Sequence, residues 1–190
     1  MYKLCKTEQS AKRQREIEYC LFEMLKKKNY EDITITELCE RLDMPRKAFY
    51  RYFDSKDDSL LALIEHKMHD YSGFDCNENK KRTAKDELEN FFLFWYENRE
   101  LLEMLDKNRL IPRLFESAAN FPINDFVNTE RYLPNDDGWT KGIIFRFVTC
   151  GLVFEAINWY REGFKTSIAD LAEIYYRMFS QPLFPSLGKF

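Results

Sequence analysis

The residues best equipped for chemistry lie in one short stretch, Pro45-Arg46-Lys47-Ala48-Phe49-Tyr50-Arg51-Tyr52-Phe53. Phe49 and Phe53 stand four apart, the interval at which two side chains share a helical face. With that face turned inward, Arg46, Lys47, Tyr50 and Arg51 fall on the others. Guanidinium and ammonium groups donate hydrogen bonds to guanine O6 and N7 and to phosphate oxygens, and phenols reach either target. Lys56, just beyond, is a natural phosphate contact, helped by the amides of the helix it opens. This is the chemistry of binding a nucleic acid, not of turning over a substrate.

A two-turn helix needs support, and the preceding residues supply it. Thr34-Ile35-Thr36-Glu37 reads as a capping box, with the Thr34 hydroxyl accepting the third amide and Glu37 reaching back. Ile35, Leu38, Cys39 and Leu42 give the second helix its apolar face. Asp43-Met44 breaks the pattern, and Pro45 suits the first position of a third helix running to about Phe53. Upstream, Ile17, Cys20, Leu21, Met24 and Leu25 stripe a first helix over Ala11–Lys28, and Asn29 sits where a left-handed cap is wanted. Ser55, with Asp58 three residues on, opens a fourth helix carrying Leu60, Leu61, Leu63, Ile64 and Met68. Helix, tight turn and short helix together have the size of a helix-turn-helix.

The rest of the chain also reads as helical. The polar stretch 70–83 predicts a loop. Residues 86–107 predict one long helix rich in aromatics, with shorter segments around Pro112 and Pro122 and a loop over Leu133–Gly138. A helix from Gly138 to about Glu162 is apolar on more than one face, which predicts cover on both sides. Gly163 ends it, and Ser167 with Asp170 starts the last helix. The fold class is therefore all-α: an N-terminal three-helix domain at 1–55 and a helical body at 56–190.

Charge divides along the same line. Residues 1–56 hold 13 Lys/Arg against 10 Asp/Glu, a balance of +3, whereas 57–190 hold 16 against 22, a balance of -6. A basic head on an acidic body is the distribution expected if only the head meets phosphate. No uninterrupted apolar run approaches the length needed to span a bilayer, and no signal peptide is apparent, so the expectation is a cytoplasmic protein without membrane contact. The five scattered cysteines read as reduced thiols. His66 and His69 read as surface residues, with no metal, cofactor or catalytic residue expected. Phosphate-loop, dinucleotide-fold, serine-hydrolase and metalloprotease motifs are all absent, so the chain is not expected to be an enzyme.

From Ile17 through Leu61 the sequence resembles the N-terminal domain of TetR/AcrR transcriptional regulators. TITELCERL at 34–42 fits that family's second helix, and FYRYFDSK at 49–56 fits its aromatic ending. The chain departs from the family at Asp43, where Gly is usual, and at Lys47-Ala48, where small residues are usual. The resemblance implies a homodimeric repressor on a roughly palindromic double-stranded operator, released by a small-molecule effector. By position, DNA would meet Thr36, Pro45, Arg46, Lys47, Tyr50, Tyr52 and Lys56. The segment 151–179 is similar to the last two helices of many members, which pair across the dimer. The interface candidates there are Phe154, Ile157, Leu171, Tyr175 and Met178. The aromatic, acidic body favours an apolar or cationic effector. Trp95, Phe115, Phe145 and Trp159 are candidates for lining its pocket, although any one aromatic is more often core. The alternative is a co-regulator of the same fold that binds a protein partner and neither DNA nor a small molecule.

Overall fold

The computed structural model describes residues 7–72, 83–120 and 137–181, and within them every regular element is helical. In chain order these are α1 (Glu8–Leu25), a 3-10 turn (Tyr30–Asp32), α2 (Ile35–Arg41), α3 (Arg46–Phe49) and α4 (Lys56–Ser72), then α5 (Ala84–Glu97) and α6 (Arg99–Lys107). After them come α7 (Ile111–Asn120), α8 (Gly138–Arg161) and α9 (Ile168–Ser180). Most of the loops expected at 70–83 and 133–138, and the segment around Pro122, lie outside the described residues.

Packing groups the chain into two compact units: Met1–His69 with Glu103–Asp125, and Asp70–Leu102 with Phe126–Phe190. The sequence-based boundary at residues 55 and 56 divides roles; packing groups the residues differently, because 103–125 join the N-terminal unit.

In that unit, α1 buries Ile17, Leu21, Met24 and Leu25 completely. Thr7 caps it by accepting from the Ser10 amide, so it starts earlier than Ala11 and ends at Leu25. Asn29 is not left-handed. Its backbone is extended (φ -68, ψ 147) and leads into the 3-10 turn, which takes the place of the expected cap. The buried face of α1 also carries Glu18, whose Oε2 lies 2.8 Å from His66 Nδ1 on α4. His66 is therefore half-buried and ties two helices together, where the sequence suggested a surface residue.

The second unit is built on α5. Thr83 and Asp86 form a complete capping box at its start. The single helix expected over 86–107 is in fact two, because Asn98 turns its Nδ2 back to Phe94 O (2.9 Å) and leaves helical geometry at φ -95, ψ 24. Phe92 on α5 meets Trp159 of α8 and Tyr175 of α9 at ring-centroid distances of 5.8 and 5.7 Å. Lys85 pairs with Glu173 at 2.7 Å.

The end of α8 is a Schellman motif. Gly163 sits at φ 73, its amide reaches Tyr160 O, and the Phe164 amide reaches Trp159 O (2.8 Å). The accompanying apolar contact is Trp159 against Phe164, 4.7 Å apart, while Trp159 Nε1 donates to Thr166 O. Ser167 then accepts from the Asp170 amide and opens α9, as its sequence implied.

Two expectations for α8 need correction. It buries Leu152, Val153, Ala156 and Trp159, yet Trp139 (75% exposed), Phe147 (76%) and Phe154 (56%) leave its other side bare within one chain. Its 24 residues are also long and apolar enough, by length and composition alone, to cross a membrane. No uninterrupted apolar run in the chain is that long, but the widely spaced charges of α8 leave a long window nearly free of them. A core or interface helix meets the same criterion.

Candidate nucleic-acid interface

The helix-turn-helix is assembled from short-range signals. Thr34 Oγ1 accepts the Glu37 amide at 3.1 Å, which starts α2. The capping box stays half made, because the Glu37 carboxylate turns to Lys28 Nζ at 2.7 Å and to Arg41 at 3.5 Å. Lys28 holds the Glu37 carboxyl below its ordinary value, against a smaller opposing effect of burial.

At the other end of α2, Asp43 adopts the left-handed conformation (φ 46). The Asp43 amide bonds Glu40 O and the Met44 amide bonds Cys39 O, a second Schellman motif built without glycine. Arg13 from α1 donates to Leu42 O at 3.0 Å and steadies the turn from behind. Asp43 thus takes up a left-handed turn where the resembled family usually has Gly.

Pro45 is the N-cap of α3 (φ -70, ψ 144), one place before the position expected for it. Regular helix ends at Phe49, although Tyr52 and Phe53 amides still bond Phe49 O, so the chain remains coiled to Phe53. Phe49 and Phe53 are wholly buried, with ring centroids 5.5 Å apart. Arg46, Lys47, Tyr50 and Arg51 are exposed around them. An Arg46 NH2 donates to the Tyr50 phenol oxygen at 3.3 Å, one turn along, so guanidinium and phenol form one polar unit. Lys47 carries no ion pair among the described residues. Thr36 and Pro45 are exposed beside this face, and Tyr52 is half-buried with Arg51 at 6.0 Å from its ring.

Lys56 is placed differently from the free cation its sequence position suggested. Its ammonium donates to Tyr30 O (2.6 Å) and Ile33 O (2.8 Å) and lies 4.0 Å from the centre of the Tyr30 ring. Two carbonyls and an aromatic face hold it inward, because the 3-10 turn and its exit present Tyr30 O, which also accepts the Ile33 amide, and Ile33 O there. That turn was not foreseen in the sequence.

Among the other candidates, Trp95 and Trp159 are 2% exposed and packed into aromatic clusters, whereas Phe115 and Phe145 are half-buried. Of the interface candidates, Phe154 is exposed and Tyr175 and Met178 are half-buried. Ile157 (2%) and Leu171 (5%) point into their own unit's core and offer a partner no surface. Trp139, Ile143 and Phe147, which were not among those candidates, are exposed on α8 at a spacing of four that is visible in the sequence.

Residues 22–63 match the family model described as bacterial regulatory proteins, tetR family. The head is a TetR-family domain. This TetR-type head spans the exposed α3 face and its phenylalanine anchors. Across the whole chain the fold is similar to that of the fatty acid degradation regulator FadR from Bacillus halodurans, at 13% identity and TM-score 0.59, covering 95% of this chain and 98% of that one. It is also similar to the dihydroxyacetone kinase operon activator DhaS, at 17% identity and TM-score 0.50, covering 88% and 93%. No curated protein matches the sequence. At such identities the two structures speak for the fold alone. A TetR-family head on a helical body is the architecture of a transcription regulator.

Proposed function

We propose that this regulator acts as a cytoplasmic homodimer that represses transcription from a roughly palindromic operator and is released by a small apolar or cationic effector. The observation that carries the DNA-binding part is the α3 face: Arg46, Lys47 and Tyr50 exposed on one side, Phe49 and Phe53 fully buried on the other. Arg46 and Lys47 would read bases or phosphates, with Thr36, Pro45 and Tyr52 flanking them. Lys56 would serve by holding the 3-10 turn, its remaining donor being all that phosphate could use.

A second copy is the proposed occupant of the bare side of α8. Trp139, Ile143, Phe147 and Phe154 follow one another there at intervals of four, four and seven residues, which keep to one side of a helix about 36 Å long. Two such chains would present paired α3 faces to successive major grooves roughly 34–36 Å apart. Repression is proposed on family grounds; DhaS is named an activator, so the fold by itself does not set the sign. Phe115 and Phe145, each half-buried in its own unit, are separate candidates for effector contact, whereas Trp95 and Trp159 would offer their rings only after the aromatic packing parts.

The test is selection of random double-stranded fragments on immobilised protein, followed by affinity measurement across salt concentrations. A recovered inverted repeat and a steep linear fall of log affinity with log salt are expected. Failure to enrich any sequence would defeat the operator reading.

A further inference from the structure

The 3-10 turn that leads into α2 is held by residues far along the chain, all within one compact unit. The Tyr30 amide, an unpaired donor at the start of that turn, donates to Asn108 Oδ1 at 2.7 Å. Asn108 caps the end of α6, where its Nδ2 donates to Met104 O at 2.8 Å. One side-chain amide thereby satisfies the orphan donor at the start of the turn and reinforces the bond that the Asn108 backbone amide makes to Met104 O. Asp57, at the start of α4, accepts from the Tyr30 phenol on one side and from Arg113 NH2 of α7 on the other, the latter at 2.9 Å. Lys56 closes the ring by binding Tyr30 O and Ile33 O, immediately before the Thr34 cap. Burial and the Asp57 hydrogen bond both push the Tyr30 phenol up, so it stays a proton donor.

We propose that Asn108 and Arg113 are positioning residues for DNA binding, which grip Tyr30 and Asp57 so that α6 and α7 set the placement of α2 and α3 without touching DNA. The geometry is selective for this role. Tyr30 precedes α2, Asp57 opens α4, and the two segments flank the helix-turn-helix in sequence. Displacing α6 or α7 must either carry the Tyr30 turn along or break the Tyr30–Asn108 hydrogen bond or the Arg113–Asp57 ion pair. The inference rests on the DNA-binding reading, and two separate measurements keep their failures apart.

The first measurement is affinity for the selected operator fragment as a function of salt. The N108A/R113A variant should bind about 5- to 150-fold more weakly, the usual span of coupling between sites, with the salt slope of the unaltered protein. A slope reduced by about one unit per lost cation would make Arg113 a phosphate contact and overturn the proposal. Unchanged or tighter binding overturns it too. R113K, which keeps a cation for Asp57, should recover part of the loss, whereas R113M should not. Equal affinities for the two also overturn the proposal.

The second measurement is amide hydrogen exchange in the DNA-free protein. N108A should speed exchange at Tyr30 and through Ile33 while leaving α9 unchanged, and unaltered exchange at Tyr30 refutes the clamp. If N108A/R113A does not fold, Y30F, which removes only the Asp57 arm, takes its place in both assays. Should the unaltered protein select no DNA, the operator reading fails while exchange still decides whether the clamp exists.

Discussion

Removing the Phe147 ring is the sharpest test of the proposed assembly, because its size can be worked out in advance. A phenylalanine side chain offers roughly 150–250 Å² for burial, and this one is 76% exposed in the single chain. About 150 Å² therefore remains to be covered by a second copy. At about 25 cal/mol per Å², full cover contributes roughly 3–4 kcal/mol, of which Phe147→Ala forfeits about 2–3 kcal/mol. A two-fold interface loses the ring twice, so the dimer weakens by roughly 4–6 kcal/mol, or about a thousandfold or more in dissociation constant. Sedimentation velocity over a dilution series should show the unaltered protein as a dimer at concentrations where F147A is a monomer. Circular dichroism should show undiminished helix, since Phe147 does not support its own unit. Identical sedimentation of both proteins down to nanomolar concentration would refute the reasoning.

Other perturbations address the head. Tyr50→Ala should reduce operator affinity by at least about tenfold, through loss of the phenol and of its hold on Arg46, and leave melting unchanged, because the side chain is exposed. Equal affinity in a gel-shift titration would remove the α3 face from the interface. Phe49→Ala should cost about 3–5 kcal/mol in urea unfolding, since the ring is fully buried against Phe53; a loss below about 1 kcal/mol would contradict the anchoring role. Glu37 and Glu173 are held below their ordinary value of 4.5, first by the hydrogen bonds from Lys28 and Lys85 respectively. A depressed carboxylate stabilises the fold above its unfolded value and loses that contribution as pH falls through its folded one. The melting temperature should therefore decline below about pH 4.5, and less steeply in Lys28→Met; parallel profiles would show that the pair contributes nothing.

What was legible in the sequence was what short-range geometry decides. Thr34, Ser55 and Ser167 start their helices because a hydroxyl needs only an amide three residues on. Asp43 and Gly163 end theirs because the left-handed conformation is a property of one residue. Phe49 and Phe53 announced an inward face by spacing alone.

Most of the failures depend on a partner distant in sequence. Glu37 chose Lys28 over the cap, and Lys56 chose the carbonyls of a turn whose shape depends on Asn108, 78 residues from Tyr30. Ile157 shares α8 with the exposed Phe147 and Phe154, and Leu171 shares α9 with the exposed Ile174 and Phe179; periodicity cannot say which side of an apolar helix meets its own core. Asn98 was readable in principle, because its side-chain amide competes for a carbonyl one turn back, but the apolar repeat through Leu101 and Leu105 masked it.

The three indoles sit at opposite extremes of solvent access, with Trp95 and Trp159 sealed and Trp139 open. Ultraviolet-excited emission from this protein should accordingly resolve into two blue, quencher-resistant components and one red component open to iodide. Trp139 lies in the first turn of the bare helix, so association through that side would dim the iodide response and blue-shift the spectrum from a single residue, giving the assembly a built-in optical gauge without any attached dye.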